Sequence, residues 1–365
     1  MSSPWTAAST ASESKGPDHL SHAPWLAAGA WVSAAPTDPD GLLYAEHWEP
    51  VLAGPARRLL DRVTALATGS PAGTDDGRAE MAAGHADRGS AGWLASGAAG
   101  AGTRSLQSGT AGAGTRSLML LDVGTGTGSL ALAAAERWPG ARIVGLDGSA
   151  GMLSVARQRV ADGWPERDRG RFTWLAAEAA AMPLEDASVD IAVSSFVLQL
   201  VADRRAALRE IWRVLRPGGL IGFVTWLSEE TLLPADSEFD EAVYDLDLDE
   251  PEADLREPTE GDYENLGEAA ADLAAAGFES IDVQPDRLEF AWQRQAYRAF
   301  KEHYDERDLF DSLTAADRAR LLARLDERWA ALHDDAFFFS AALVAATARR
   351  PPSESDSVGR VDHYT

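Results

Sequence analysis

"LMLLDVGTGTGSLALAAAERW" occupies Leu118–Trp138, and the rest of the chain is read outward from it. Leu118–Val123 is a short, unbroken apolar run of the kind that forms a parallel strand buried on both faces. Ser129–Trp138 is rich in helix formers and is stopped by Pro139-Gly140. Between them, Gly124, Gly126 and Gly128 mark a strand-to-helix junction. Glycine there lets the backbone approach a ligand closely, and the start of the following helix offers unpaired N–H groups.

The alternation continues downstream. "RIVGL" predicts a second strand ending at Asp147, and Ser149 is placed to cap a helix through Gly163. "RFTWLAA" and "VDIAVSSF" predict the third and fourth strands. A helix follows from Asp203, with Leu208, Ile211, Trp212 and Leu215 on one face; "RPGG" reads as a turn and "LIGFVTW" as a fifth strand. Strands alternating with helices at this spacing imply a parallel, doubly wound α/β sheet. Beyond it, 227–259 reads as acidic and loop-like, and Tyr263–Ala276 as a helix closed by Gly277. "FESIDVQ" reads as a sixth strand, Trp292–Tyr304 and Thr314–Leu332 as helices, and "AFFFSAALVAATA" as a last long strand. Thr314 with Asp317 forms a capping box.

Upstream, Leu52, Ala56, Leu59, Leu60, Val63 and Leu66 recur at helical spacing, predicting a helix that ends at Thr68-Gly69. Residues 1–40 lack any period and read as a disordered tail. Residues 69–117 are low-complexity, and within them "SGAAGAGTRSL" (Ser96–Leu106) recurs as "SGTAGAGTRSL" (Ser108–Leu118). The repeat reads as a duplicated linker, so its two glycine clusters are not expected to form a site, and deleting 69 to about 115 should leave ligand affinity intact. The expected organisation is one domain over 41–349, with an insertion at 69–117, a ligand-binding core at 118–226, further elements over 227–335 and a polar tail at 350–365.

Composition narrows the function classes. The chain of 365 residues has a net charge of −25 and no basic patch, which argues against a nucleic-acid partner. It has no cysteine, which excludes disulfides, thiolate metal sites and cysteine nucleophiles. No apolar run reaches the roughly 18 residues a spanning helix needs. "HAPWLAAGAWVSAAP" (His22–Pro36) has the look of a signal core, but the residues before it carry Glu13 and Asp18 rather than a positive cluster. A cytoplasmic protein without a membrane partner is expected. "DLDLDEPEAD" (Asp245–Asp254) fails as a calcium loop: Glu250 stands where glycine is required and Arg256 where a bidentate glutamate is required.

Glycine spacing then bears on the ligand. A dinucleotide fingerprint is G-x-G-x-x-G, but Ser129 stands where its last glycine would fall. Asp122 precedes the loop, where a carboxylate would repel a pyrophosphate and welcome a cation. Asp147 lies 19 residues after Gly128, suited to accept hydrogen bonds from ribose hydroxyls. A nucleoside with a positive or zwitterionic tail fits better than a diphosphate, which disfavours a nicotinamide oxidoreductase.

"LLDVGTGTGSLAL", "VGLDGSAGML", "AAEAAAMPLEDASVDIAVSS" and "ALREIWRVLRPGGLIGFVTW" occur in this order over Leu118–Trp226. Together they resemble the motifs of class I S-adenosylmethionine-dependent methyltransferases, in the ubiquinone/menaquinone-biosynthesis-like, small-molecule branch. The resemblance implies a Rossmann-like doubly wound sheet of seven strands, mostly parallel with the last antiparallel, and extra helices over the active-site cleft. It implies methyl transfer from S-adenosyl-L-methionine to a small-molecule acceptor; the alternative is a methyltransferase-like fold that binds the nucleoside in a regulatory or assembly role without turnover.

Carried over by position, Gly124, Thr125, Gly126 and Gly128 would line the methionine part of the cofactor, with Asp122 near its amino group. Asp147 would bind the ribose, and Gly148 and Met152 would lie by the adenine. Glu178 would face the adenine amine, with Ala177 and Ala179 flanking the ring. Ser194 would face the methyl-transfer cavity. Gln199 stands where many relatives carry a histidine, so no catalytic base is assigned, and the resemblance does not fix the acceptor atom as oxygen, carbon or nitrogen. Tyr44, His47, His303 and Tyr304 could reach the cleft, but none is singled out as a base.

Overall fold

The computed structural model describes residues 39–69, 116–229, 231, 233–246, 248 and 261–353. The duplicated glycine clusters, most of the two tails and most of the acidic stretch from Asp247 lie outside the described residues.

In chain order the elements begin with α1 (Pro39–Leu43), a π-helical turn (Tyr44–Trp48) and α2 (Glu49–Thr68). The core follows as β1 (Met119–Val123), α3 (Ser129–Arg137), β2 (Arg142–Asp147), α4 (Ala150–Gly163), α5 (Glu166–Arg169), β3 (Phe172–Ala176), β4 (Val189–Ser195), α6 (Arg204–Val214) and β5 (Leu215–Trp226). The last part contains α7 (Pro234–Asp245), α8 (Leu266–Ala275), β6 (Glu279–Ala291), α9 (Arg294–Phe300), a second π-turn (Lys301–Asp305), α10 (Arg307–Ser312), α11 (Ala315–Ala330) and β7 (Phe338–Arg349).

The seven strands form one sheet in the order β3-β2-β1-β4-β5-β7-β6. β1 to β5 pair in parallel, and β7 runs antiparallel between β5 and β6. The expected fold class is therefore observed. Successive strand residues serve opposite layers. Leu120 and Leu220 pack under α2 and α3, whereas Leu121 and Ile221 pack against α6 and α8. Strand order reverses between β1 and β4, and in open α/β sheets ligands bind at the carboxyl ends of the strands at such a reversal.

Local sequence accounts for the ends of these elements. Ser149 accepts the Met152 N–H at 3.2 Å at the start of α4, and Asp203 accepts the Ala206 N–H at 2.7 Å at the start of α6. Thr314 caps α11, with its hydroxyl also bonded to Asp317. α2 ends at Gly69, in the left-handed conformation that closes many helices.

Three expectations are corrected. The stretch 227–259 is not all loop, because α7 buries Ala235, Phe239, Ala242 and Val243 at helical spacing. Its acids are partly paired: Asp245 accepts from Arg324 and Arg328 of α11. "RPGG" belongs to β5, extended because the Gly218 N–H donates to Arg350 O and the Arg350 N–H to Gly219 O. The sixth strand runs on to Ala291 through Pro285, which is tolerated because β6 is an edge strand. The last segment also begins docked rather than free. Arg350 donates to the carbonyls of Trp212, Arg213 and Leu215 at the end of α6.

Candidate functional site

The residues expected at a site converge at the tips of β1 and β2. Gly124, Gly126 and Gly128 have φ of +69°, +53° and +87°, a run that L side chains adopt only with strain. Gly124 and Thr125 donate their N–H groups to Leu146 O at 2.7 and 2.9 Å, tying the loop to β2. A Cβ on Gly124 would occupy the Val197 side chain, so that glycine serves packing. A Cβ on Gly126 would meet nothing within 4 Å, leaving its backbone open to an incoming group.

Asp147, at the end of β2, faces this open backbone. One carboxylate oxygen accepts the Gly126 N–H at 2.8 Å and the other accepts the Ser149 N–H at 2.8 Å. Each oxygen keeps lone-pair capacity for another donor. Burial raises the Asp147 carboxyl above its ordinary value, the two backbone N–H groups lower it, and the charge of Glu178 raises it further. Asp122 is 1% exposed and accepts the Thr125 hydroxyl at 2.7 Å. With desolvation dominant, its carboxyl is pushed up to about 7.

The other expected residues are placed as follows. Met152 is buried in the first turn of α4, while Gly148, just before it, is exposed. Ala177 donates its N–H to Asp147 O at 3.0 Å, Ala179 is buried, and Glu178 between them is exposed. Ser194 is brought to the same strand ends, but its hydroxyl is used structurally: it donates to Val123 O at 3.0 Å and is 1% exposed. Gln199 is likewise committed. It donates to Phe196 O at 2.9 Å and accepts the Thr225 hydroxyl at 2.5 Å. Gln199 thus holds Phe196, which has φ of +57° at the exit of β4 and sets its ring 4.7 Å from Trp226. Backbone strain of this kind concentrates beside functional sites.

The sequence did not single out a charged clasp next to the loop. Glu49, 4% exposed in the first turn of α2, accepts the Thr127 hydroxyl and two contacts from Arg159 Nη1, at 2.9 and 3.0 Å. The same Arg159 nitrogen donates to Thr127 O at 3.2 Å and Ser129 Oγ at 3.1 Å. Its members come from α2, the glycine loop, α3 and α4, so no local motif announces it; an acid in a first helical turn reads only as a partner of the helix dipole. Removing Glu49 leaves Arg159 and Thr127 under-partnered in a mostly buried place. Glu49→Ala is therefore expected to destabilise the protein by about 2 kcal/mol, measured as the shift of the urea midpoint at constant slope.

The two π-turns meet above this region. Tyr44 and Tyr304 have ring centroids 6.4 Å apart, His47 and His303 6.2 Å. Burial pulls the His47 imidazole below its ordinary value, Glu46 opposes this and His303 adds to it. Among the described residues no group of three or more His, Asp or Glu could hold a metal ion.

Residues 121–223 match the family model for a methyltransferase domain. Over 86 residues the chain is 44% identical to a malonyl-[acyl-carrier protein] O-methyltransferase of Serratia marcescens, covering 24% of this chain and 30% of that protein. Over 90 residues it is 43% identical to a demethylmenaquinone methyltransferase of Thermus thermophilus, covering 24% of this chain and 38% of that protein. Among solved structures, the YcgJ protein from Bacillus subtilis is similar at 20% identity and a TM-score of 0.43, over 65% of this chain and 93% of that one. The matched region spans about a third of the length of these two curated relatives. The strand order, the glycine loop between two acidic strand ends and the family match agree on a methyltransferase domain over residues 121–223.

Proposed function

We propose that this chain transfers a methyl group from S-adenosyl-L-methionine to a small-molecule acceptor, releasing S-adenosylhomocysteine. The observation that carries the reading is the Asp147 carboxylate, held 2.8 Å from the Gly126 N–H beside open backbone, with the second buried acid, Asp122, at the neighbouring strand end. Two carboxylates suit a nucleoside with a cationic tail and oppose a diphosphate, and Arg159, which could offset them, is already paired with Glu49.

The residues fit the cofactor by chemistry. Asp147, with lone pairs left on both oxygens, accepts the ribose hydroxyls. Gly148, Met152, Ala177 and Ala179 flank the adenine, and exposed Glu178 faces its amine. Gly124, Thr125, Gly126 and Gly128 line the methionine part, and Asp122 balances its ammonium. Ser194 supports the floor of the cavity through its bond to Val123 rather than by a free hydroxyl. Bound there, the cofactor supplies an electrophilic sulfonium methyl, taken in line by an acceptor lone pair while the C–S bonding electrons stay on sulfur. The protein's part is to hold the two partners aligned and dry, the contribution that proximity makes. With Gln199 locked by Phe196 and Thr225, no side chain at that position takes the acceptor's proton.

The net charge of −25 argues against nucleic acid. No helix among the described residues is long and apolar enough to cross a membrane. Acceptor-dependent appearance of S-adenosylhomocysteine, followed by mass spectrometry across a panel of small acceptors, tests turnover. Cofactor binding with no product from any acceptor would favour the non-catalytic reading.

A further inference from the structure

The geometry points to Tyr44 as a cofactor-contacting residue, carried by a cap, residues 39–49, that is fastened on both sides of the cleft. The inference rests on the cofactor reading above and adds a residue from outside the matched domain.

The cap is anchored at two points that bracket the site. At one end, α1 lies directly on the start of α4. A Cβ on Gly41 would come 3.1 Å from Val155 Cγ2, 3.6 Å from Met152 Sδ and 3.7 Å from Gly151 O. At the other end, Glu49 grips the glycine loop through Thr127 and Arg159. Met152 follows Asp147 at the tip of β2, and Thr127 follows Asp122 at the tip of β1. The chain between the two anchors therefore crosses from one acid's side of the cleft to the other's.

Tyr44 lies within that crossing. The Glu49 N–H bonds back to Tyr44 O, the five-residue closure that defines the π-turn and ties the tyrosine to the clasp residue. The groups acting on its phenol agree with this placement. Burial acts first, then the charges of Glu49 and Asp147, with Asp122 adding and Arg159 opposing, and the balance holds the phenol protonated well above its ordinary range. A neutral O–H among acids is a hydrogen-bond donor, and cofactor oxygens between Asp147 and Asp122 are acceptors within its chemistry.

The outer side of the cap is rigidly backed. Tyr304 sits behind Tyr44 on the second π-turn, whose Lys301 is 1% exposed and pairs with Asp236, Asp305 and Glu306 at 2.8, 2.6 and 3.1 Å. Arg307, just beyond that turn, pairs with Asp40 of α1. Tyr44 is thus held between Tyr304 on one side and the acids of the strand ends on the other.

Calorimetric titration of the full chain with S-adenosylhomocysteine tests this. Tyr44→Ala should weaken binding about tenfold or more, and Tyr44→Phe about threefold through loss of the hydroxyl alone. Leu42→Ala, at an exposed position of the same cap, should stay within about twofold of wild type. A folded Tyr44→Ala protein that binds within about twofold of wild type overturns the inference and leaves the cofactor reading standing. A wild-type chain that binds nothing overturns the cofactor reading first. Should Tyr44→Ala fail to fold, amide exchange in the wild type decides: the ligand should slow residues 44–49 and leave 318–328 unchanged. Unchanged exchange over 44–49 overturns the inference.

Discussion

Asp147→Ala is expected to weaken S-adenosylmethionine binding about a hundredfold while the protein stays folded. The carboxylate would accept two ribose hydroxyls, and hydrogen bonds to a charged group contribute about 1.5–3 kcal/mol each. Losing both, with water partly replacing them, leaves a net loss near 3 kcal/mol, which is about a hundredfold in affinity. The effect on folding is smaller because two terms oppose. The Gly126 and Ser149 N–H groups lose their acceptor, but a carboxylate disfavoured by burial is removed with it. Asp147→Asn keeps one acceptor oxygen and should fall between the two. Unchanged affinity in a folded Asp147→Ala protein would remove this residue from the site.

Asp122→Asn should move stability and binding in opposite directions. Its folded carboxyl is pushed up to about 7 by desolvation, whereas in the unfolded chain it returns to the ordinary range near 4. Between those values the folded state holds the proton and the unfolded state does not. Stability therefore falls as pH rises through this window, by on the order of 4 kcal/mol once the window is passed. Asparagine cannot ionise, so the variant should be the more stable protein at pH 8 and close to wild type at pH 4, read from urea midpoints. Binding runs the other way, because a cationic ammonium favours the ionised acid. Wild-type affinity should drop about tenfold per unit below pH 7, with a proton released on binding there, and Asp122→Asn should bind weakly with little pH dependence. A variant no more stable than wild type at pH 8 would contradict the buried-acid account.

The two predictions turn on residues that were legible in the sequence. Leu118–Val123 and "RIVGL" are buried parallel strands, so they appear as apolar runs, with Asp122 as the penultimate residue of β1 and Asp147 as the last residue of β2. Its place between a strand and a helix separated this loop from the duplicated clusters upstream, which lie outside the described residues. Capping residues at 149, 203 and 314 were readable because a cap needs only local chemistry.

What escaped notice depends on contacts far apart in sequence. α7 was hidden by its acids, whose partners Arg324 and Arg328 lie on α11. The clasp of Glu49, Thr127 and Arg159 joins residues up to 110 apart and has no local pattern. Gln199 was legible only as a missing histidine; its role in holding Phe196 needs Thr225, from the next strand of the sheet. Tyr44, His47, His303 and Tyr304 could be placed near the cleft from sequence, but their pairing required the two π-turns.

The central claim is that the acidic tips of β1 and β2 and the glycine loop between them form a site for S-adenosylmethionine. Calorimetric titration of the intact chain with S-adenosylmethionine and, separately, with NAD tests it most directly. The account predicts saturable binding of one S-adenosylmethionine per chain and no binding of NAD. Binding of NAD without binding of S-adenosylmethionine would contradict it.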